Sequence, residues 1–479
     1  MKRILMVLFW MVLVIPGAFF GISAAAYWVA YFFEGLFRGG AGVGNILVLV
    51  LAAVMIVATL LTLAERKWSA AMQDRVGPNR AHIEAGPTFI QKMRLGGLLH
   101  IPADVLKMLW KEDFMPAGAR SNRFLFNLAP MLAFAPVFVL FCVVPAGPMI
   151  TLGEQARKIA LIVSNPDFGL LYVFAIASLA VYGTSLAGWS SNNKFALLGG
   201  VRASSQMISY EVALGLGLVG MMMTFSTVRL FDMTEAQTQY LWKFTDGDFG
   251  LPAWGIFLQP VGFLLFFAAA FAETKRAPFD VPEGESEIIG YFVEYSGMRF
   301  GLFMISEFVE VVVLAAICTA IFFGGWHLPF GEKALYAELF TQGKVFYGHQ
   351  WIWGAFLGSI FWLKVLALCW VQLLIRWTFP RFRYDQIQTL GWKMLLPAGL
   401  VNVFVTGALV LWDPSLRWLA VLGIAVLVAI VALATLGTGG EEAAHAHDGH
   451  GGHGADAHGH DAHASVPAHV SGAIAPSTH

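Results

Sequence analysis

The chain has 479 residues, 58% of them hydrophobic and only 13% charged, with a formal net charge of −1 and a mean hydropathy of +0.68. A soluble domain carries about 25% charged residues, and a single core stops growing before it can bury this much apolar surface, so lipid is the solvent the sequence fits. The balanced charge gives no general attraction to nucleic acid. Three isolated cysteines, Cys142, Cys318 and Cys369, with no Cys-x-x-Cys, argue against an iron–sulfur cluster or a structural zinc held by thiolates.

Apolar runs of about 18 residues or more mark membrane helices. They fall at 4–30, 45–64, 124–145, 168–188, 208–225, 256–272, 301–323, 354–377, 392–412 and 416–437, ten spans in all. The expected fold is therefore an all-α polytopic membrane protein. The first run follows Lys2-Arg3 and contains Pro16-Gly17 and Ala24-Ala25-Ala26; its length favours a retained helix over a cleaved signal peptide. Between the second and third spans, Ile101–Asp113 sets Asp104, Lys107 and Lys111 at helical spacing opposite Val105, Leu106 and Leu109. That pattern reads as an amphipathic helix lying at the membrane interface, or more blandly as the anchor of a loop. Residues 438–479 are a Gly/Ala/His/Asp tail without apolar periodicity and are expected to be disordered. Nine of the thirteen histidines fall there, and His445, His447, His450 and His453 are a weak candidate for loose zinc or nickel binding.

Lysine and arginine set orientation. The segment 65–123 carries ten: Arg66, Lys67, Arg75, Arg80, Lys92, Arg94, Lys107, Lys111, Arg120 and Arg123. Loops 189–207, 273–300 and 376–393, with Lys2 and Arg3, raise that side to 21, against seven opposite. The first group is expected to be cytoplasmic, and an even number of spans returns the tail to it.

Gly215-Leu-Gly217-Leu-Val-Gly220 fits G-x-G-x-x-G. A nucleotide site needs a preceding strand and an aqueous helix N-terminus; inside a span, small residues instead let helices approach. Segment 272–295 carries Glu273, Asp280, Glu283, Glu285, Glu287 and Glu294 against Lys275 and Arg276. A solvated acidic loop is the plain reading. However, the acids are interleaved with Pro278, Phe279, Ile288, Ile289 and Tyr291, which points to partial burial, and crowded carboxylates in low dielectric can hold or pass protons. Glu211, Glu307, Glu310 and Lys364 fall inside spans, where charge usually faces a bundle interior or wet cavity. Their structural alternative is helix-to-helix ion pairing, Glu307 with Lys364 being one such pair, and Lys194 or Arg202 folding over Glu211. After the 45–64 run, Glu65-Arg66-Lys67 leads to Arg75-Val-Gly77-Pro78-Asn79-Arg80. Gly-Pro-Asn makes a turn, and an arginine beside it can anchor the helix or hold an acceptor oxygen at a pocket mouth.

Together these segments resemble the H subunit of respiratory complex I, the NADH dehydrogenase subunit 1 family. The matching pieces are Glu65-Arg66-Lys67 with Gln73-x-Arg75-x-Gly77-Pro78-Asn79, then Ala103-Asp104-x-x-Lys107 with Lys111-Glu112. Ala187-Gly188-Trp189-Ser190-Ser191-Asn192-Asn193-Lys194 runs on to Arg202-Ala203-Ser204 and Ile208-Ser209-Tyr210-Glu211. Further pieces are Ala272-Glu273-Thr274-x-Arg276-Ala277-Pro278-Phe279-Asp280-x-Pro282-Glu283-x-Glu285-Ser286-Glu287 and Glu294-Tyr295-Ser296-Gly297. The last are Pro380-Arg381-x-Arg383-Tyr384-Asp385-Gln386 and Gly391-Trp392-Lys393. Coverage is about 45–412. The spans 4–30 and 416–437, the tail and Glu310 lie outside the family pattern, and Glu-Ser-Glu-Ile-Ile-Gly-Tyr is one residue shorter than the form in many members.

The resemblance implies a domain plan: an extra N-terminal helix and loop over 1–44, an eight-helix core over 45–412, an extra C-terminal helix over 413–437 and the tail over 438–479. It implies a membrane subunit of a proton-translocating NADH:quinone oxidoreductase in a bacterial cytoplasmic (inner) membrane respiratory chain. Its partners would be the other membrane and hydrophilic subunits of complex I, the bilayer and a quinone (ubiquinone or menaquinone), with no nucleic acid. No catalytic residue, FMN, haem or iron–sulfur cluster is expected in this chain alone. The implied quinone chamber takes in Arg66, Arg75, Gly77, Pro78, Asn79, Lys194, Arg202, Arg276, Phe279 and Arg299, entered from lipid between 45–64, 92–113 and 301–323. The implied relay for protons and charge is Glu211, Glu273, Asp280, Glu283, Glu285, Glu287 and Glu294. Rival readings are the related membrane subunit of a membrane-bound hydrogenase and a stand-alone secondary transporter. The latter would show paired broken helices in two related halves, and no such repeat is visible.

Overall fold

The computed structural model of the chain describes residues 14–81, 97–152, 157–243, 250–282, 290–340, 349–430 and 432. Met1–Leu427 forms one compact unit and Val428 opens a second. In chain order the main helices are α1 (Ile15–Leu36), α2 (Gly40–Met72), α3 (His100–Trp110), α4 (Ala117–Phe141), α5 (Gly169–Ser190), α6 (Lys194–Phe225), α7 (Leu230–Ala236), α8 (Pro260–Glu273), α9 (Gly297–Phe322), α10 (Gln350–Thr378), α11 (Tyr384–Trp412) and α12 (Arg417–Ile430). Among the described residues, eight of these are long and apolar enough to cross a bilayer; α8 and α12 are shorter apolar helices. The chain is an all-α polytopic membrane protein. Among the described residues its strands form two short antiparallel pairs, Ile150–Leu152 with Arg157–Ile159 and Tyr240–Lys243 with Gly250–Pro252.

Within the described residues each expected apolar run coincides with a helix, but the helix ends differ; 4–13 of the first run and 433–437 of the last lie outside the described residues. The 32 residues of α6 rise about 48 Å at 1.5 Å per residue, well beyond a hydrocarbon core of about 30 Å. Hydropathy marks only the lipid-depth portion, from 208. The helix itself begins where Asn193 caps it, its side chain accepting from the Phe195 amide at 3.0 Å. In α8 the opposite holds. Gln259 leaves helical geometry at φ −136 and Pro260 starts a new helix, so the expected 256–272 span is split. The Gln259 side chain then ties the break to α11, donating to Thr406 Oγ1 at 2.7 Å and accepting from Asn402 at 3.0 Å.

Helix α9 is the axis of the bundle. Every residue from Ser306 to Phe322 is buried, and apart from Glu307 and Glu310 the stretch carries no charge, as suits a helix enclosed on all sides. In lipid there is no hydrophobic drive between helices, so close packing carries association. Gly217 and Gly220 show this: a Cβ at Gly217 would meet the Gly262 carbonyl at 3.0 Å, and one at Gly220 would meet the Gln259 amide oxygen at 3.0 Å. The G-x-G-x-x-G segment is thus a helix contact between α6 and α8. Helix α1 docks on α10 in the same way. Phe19 stacks on Trp362 at 5.8 Å, while Gly354 and Gly358, one turn apart, lie so close to Tyr27 and Ser23 that a Cβ would sit within 2.8 Å of either.

Candidate functional site

At the expected cytoplasmic ends of the bundle, α2, α3 and α9 converge. Arg66 donates to Asp104 of α3 at 2.7 Å, with Lys107 at 3.6 Å from the same carboxylate. Beyond the far end of α3, Asp113 meets Arg299 of α9 at 3.1 Å, and the Arg299 guanidinium lies 5.5 Å over Phe126. Met108 of α3 seats against Gly301, where a Cβ would lie 2.9 Å from its sulfur. No residue of α3 is buried, and Leu106, Leu109 and Trp110 are exposed. Such a helix presents its apolar face to the bilayer interface. The Gly77-Pro78-Asn79 turn folds back on this mouth. Gly97, at φ +99, packs so tightly on it that a Cβ would overlap the Pro78 carbonyl, a position only glycine fills. Arg75 is exposed and donates to Gln73 at 2.6 Å.

Behind the mouth, Glu65 pairs with two arginines. Arg276 donates to it at 2.8 Å and Arg376 of α10 binds its other oxygen. The Arg276 guanidinium also lies 3.8 Å over the Phe308 ring and is buried. A slot of ≈ 20 Å³ bordered by Leu61, Phe271, Phe308, Gln372 and Arg376 reaches it, room for about one water. The loop carrying Arg276 is pinned from two sides. Gln206 donates to the carbonyls of Ala272 at 2.7 Å and Phe279 at 2.8 Å; Phe279 packs between Tyr210 and Phe382, each at 5.5 Å; and Arg381 bonds the Asp280 carbonyl.

Deeper still lies a cluster of buried ionisable groups. Glu273, Lys275, Arg276, Glu307 and Glu310 are all less than a tenth exposed. Glu273 stands within electrostatic reach of Glu310, Glu211 and Lys275, and Glu310 within reach of Lys275, Glu307 and Arg276. The buried Tyr291 hydroxyl donates to Glu307 at 3.3 Å. Beside the cluster, Asn193 donates to Glu294 at 2.7 Å, and Tyr295 stacks on Phe126 at 4.1 Å. Burial pushes the Tyr295 phenol up to about 12, so at neutral pH it keeps its proton and can donate a hydrogen bond.

The family model described as NADH dehydrogenase matches residues 44–407, a stretch that contains both the arginine-lined mouth and the carboxylate cluster beneath it. The chain belongs to the NADH dehydrogenase family. It is 41% identical to an NADH-quinone oxidoreductase H subunit of Syntrophobacter fumaroxidans over 76% of this chain and 95% of that protein. It is 39% identical to an NADH-quinone oxidoreductase H subunit of Cytophaga hutchinsonii over 74% of this chain and 93% of that protein. It is also 39% identical to the NADH-quinone oxidoreductase subunit 8 of Rhodothermus marinus over 74% of this chain and 94% of that protein. The matched segment opens within α2 and closes within α11; α1 and α12 fall outside it.

In this NADH dehydrogenase family chain the expected site residues divide. Arg276, Glu273 and Glu211 come together, Arg66 and Arg299 clamp α3, Asp280 pairs with Arg381 and Glu294 with Asn193. Lys194 is exposed in the first turn of α6. Arg202 lies 5.9 Å over Tyr384, at a cavity of ≈ 300 Å³ shared with Val281, Arg381 and Arg383. Neither folds over Glu211, the alternative that the sequence leaves open. All three share one helix, and nine residues already separate two side chains by about 13.5 Å of rise. Glu283, Glu285 and Glu287, the His445, His447, His450 and His453 set and the tail lie outside the described residues. Among the described residues no group of three or more His, Cys, Asp or Glu side chains could hold a metal.

Glu307 and Lys364 do not pair. Lys364 donates instead to the carbonyls of Phe323, Gly325 and His327 at 2.8, 2.9 and 2.6 Å, at the opposite end of α9. Sixteen residues of helix, about 24 Å, separate Glu307 from Phe323. Sequence patterns give no role to Glu65, Arg376 or Lys275. The first two become visible only when segments far apart in the chain meet, and the signal for Lys275 is its place among six acids.

Proposed function

We propose that this chain is the membrane subunit of an NADH:quinone oxidoreductase that walls the membrane side of a quinone chamber and couples quinone reduction to proton translocation. The observation that carries the reading is the convergence of α2, α3 and α9 at a mouth clamped by Arg66–Asp104 and Arg299–Asp113, with the Glu65–Arg276–Arg376 triad behind it. An apolar quinone tail enters from lipid beside the exposed face of α3, and the cationic residues Arg66, Arg75, Arg276 and Arg299 face the polar head. The ≈ 20 Å³ slot at Arg276 is too small for a quinone ring, so it serves as a side pocket of the chamber. Electrons come from redox centres held by hydrophilic partner subunits. Charge appearing at the quinone is then felt by Glu211, Glu273, Asp280 and Glu294, with Glu283, Glu285 and Glu287 continuing the acidic loop.

Under this reading the core over 45–412 is the subunit proper, and 1–44, 413–437 and 438–479 are additions to it. The protein sits in a bacterial cytoplasmic membrane with its tail cytoplasmic, a reading that the lysine and arginine sidedness supports. The relatives, described as subunits of NADH-quinone oxidoreductases, support assembly with the other subunits of such a complex.

The test is Arg276→Gln in the assembled complex. NADH oxidation by an artificial acceptor that bypasses the quinone should persist, while quinone reduction falls at least about tenfold, the scale of ~1.4 kcal/mol in a barrier. Parallel loss of both activities would make Arg276 a structural residue and remove the chamber assignment.

A further inference from the structure

Lys275 and Glu310 have no part in the chamber or relay as assigned above, yet both lie at its centre. Lys275 is 4% exposed and holds its backbone at φ +56, a left-handed conformation that side-chain-bearing residues rarely adopt. Such outliers persist where the surrounding structure over-determines them. The turn delivers the ammonium inward, 5.9 Å over the ring of Tyr291. Glu310 is 5% exposed, one turn from Glu307 on the same face of α9. The charged groups within electrostatic reach of Glu310 lie on two elements. They are Glu307 on its own helix, and Lys275 and Arg276 on the loop after α8. Glu273 at the end of α8 lies in turn within electrostatic reach of Glu310, Lys275 and Glu211 on α6. Arg276 is paired with Glu65, whereas Lys275 lies within electrostatic reach of both Glu273 and Glu310, the two carboxyls that Glu211 and Glu307 crowd in turn. Carboxylates crowded in low dielectric resist ionising together, so the cation among them decides how many carry charge.

We propose that Lys275 and Glu310 form a buried charge couple that positions the Glu273 carboxyl and fixes the number of protons the cluster holds. The couple rests on the relay reading and deepens it: both are positioning residues, acting on quinone reduction through Glu273. A buried charge pair is costly to break and cheap to replace whole, which gives the couple a signature independent of quinone chemistry.

The experiment compares Lys275→Met, Glu310→Gln and the double variant in membranes bearing the whole complex. Assembled complex is quantified by artificial-acceptor activity, and the pH profile of NADH:quinone reduction is recorded. Each single variant should lower assembly, and the double variant should recover it above both. In the complex that assembles, Lys275→Met should move the acid limb of the profile up by about one pH unit and Glu310→Gln should move it down, the scale of one nearby charge. A double variant that assembles no better than the poorer single variant overturns the couple. So do assembled single variants with the wild-type profile, or with shifts in the same direction. Should both single variants fail to assemble, recovery in the double variant alone decides. Wild-type complex that reduces no quinone would instead overturn the chamber reading, leaving the assembly comparison intact.

Discussion

Lys364, midway along α10, ends among three carbonyl oxygens of the turn that follows α9, with the Trp254 ring 4.4 Å from its ammonium. These carbonyls leave the helical ladder just beyond the C-terminus of α9, the negative end of its dipole, and a carbonyl in such a turn needs a donor from elsewhere. One ammonium with three donors satisfies three acceptors that the bilayer would leave orphaned. Lys364→Met should strand all three and destabilise the protein by roughly 3 kcal/mol, read as a lowered melting temperature in detergent. The fraction that still assembles should reduce quinone at the wild-type rate per complex, because the cage is at the far end of α9 from Arg276. Arg75 is the converse case. It is exposed and bonds the neighbouring Gln73, so Arg75→Ala should leave assembly intact. Quinone reduction should weaken while the artificial-acceptor rate holds; parallel decline would make Arg75 an anchor of the turn.

At the scale of elements, α3 is held not by burial but by polar ties, from Arg66 to Asp104, from the Ala81 amide to His100 and from Arg299 to Asp113 just past its end, and by the contact of Met108 with Gly301. Enlarging Gly301 to leucine should drive Met108 outward and open the mouth. The expected result is a severalfold higher apparent KM for a long-tailed quinone with unchanged artificial-acceptor activity; an unchanged KM would separate α3 from the entrance. On the other side of the bundle, α7 carries Glu235, whose carboxyl burial lifts above the ordinary 4.5, with the His327 charge opposing and Asp232 adding. A folded-state value above the unfolded one means stability that is full below about pH 4.5 and is lost as pH rises through the folded value. Glu235→Gln should therefore be at least as stable as wild type at about pH 7 and lose that advantage below about pH 4.5, as thermal melts across that range will show. The elements themselves are largely legible in the sequence: apolar runs locate every long helix, charge spacing locates α3, and the position of Gly217 and Gly220 within a span identifies a helix contact. What composition does not show is pairing across distance. Glu65 and Arg276 are 211 positions apart, Lys364 and Phe323 are 41 apart, and hydropathy weighs each residue only against its neighbours. The break at Gln259 is equally hidden, because its neighbours are as apolar as an unbroken span.

On the scale of the whole molecule, charge is segregated along α9. The buried carboxylates and their arginines occupy the half beginning at Gly297, while the far end is closed by Lys364 and by His327, which pairs with Glu332 at 3.1 Å. Between them, every residue from Val311 to Phe322 is buried and uncharged, so the relay reading needs a sideways route from the cluster rather than one straight along α9. Under that reading Glu211 is the lateral exit. It is half-buried on α6, within electrostatic reach of Glu273, and has no hydrogen bond or ion pair among the described residues. A carboxyl that fixed α6 as a strut would need a partner; one that answers charge at Glu273 needs only proximity and room to change protonation. Glu211→Gln keeps shape and polarity and removes the proton-exchanging group. The relay reading expects an assembled complex with wild-type artificial-acceptor activity, and with quinone reduction and proton pumping both lowered at least about tenfold. Equal losses in the two outputs would show that reduction and pumping pass through the same carboxyl. Wild-type reduction and pumping in Glu211→Gln would remove Glu211 from the relay and leave Glu273, Glu307 and Glu310 as an isolated charge reservoir.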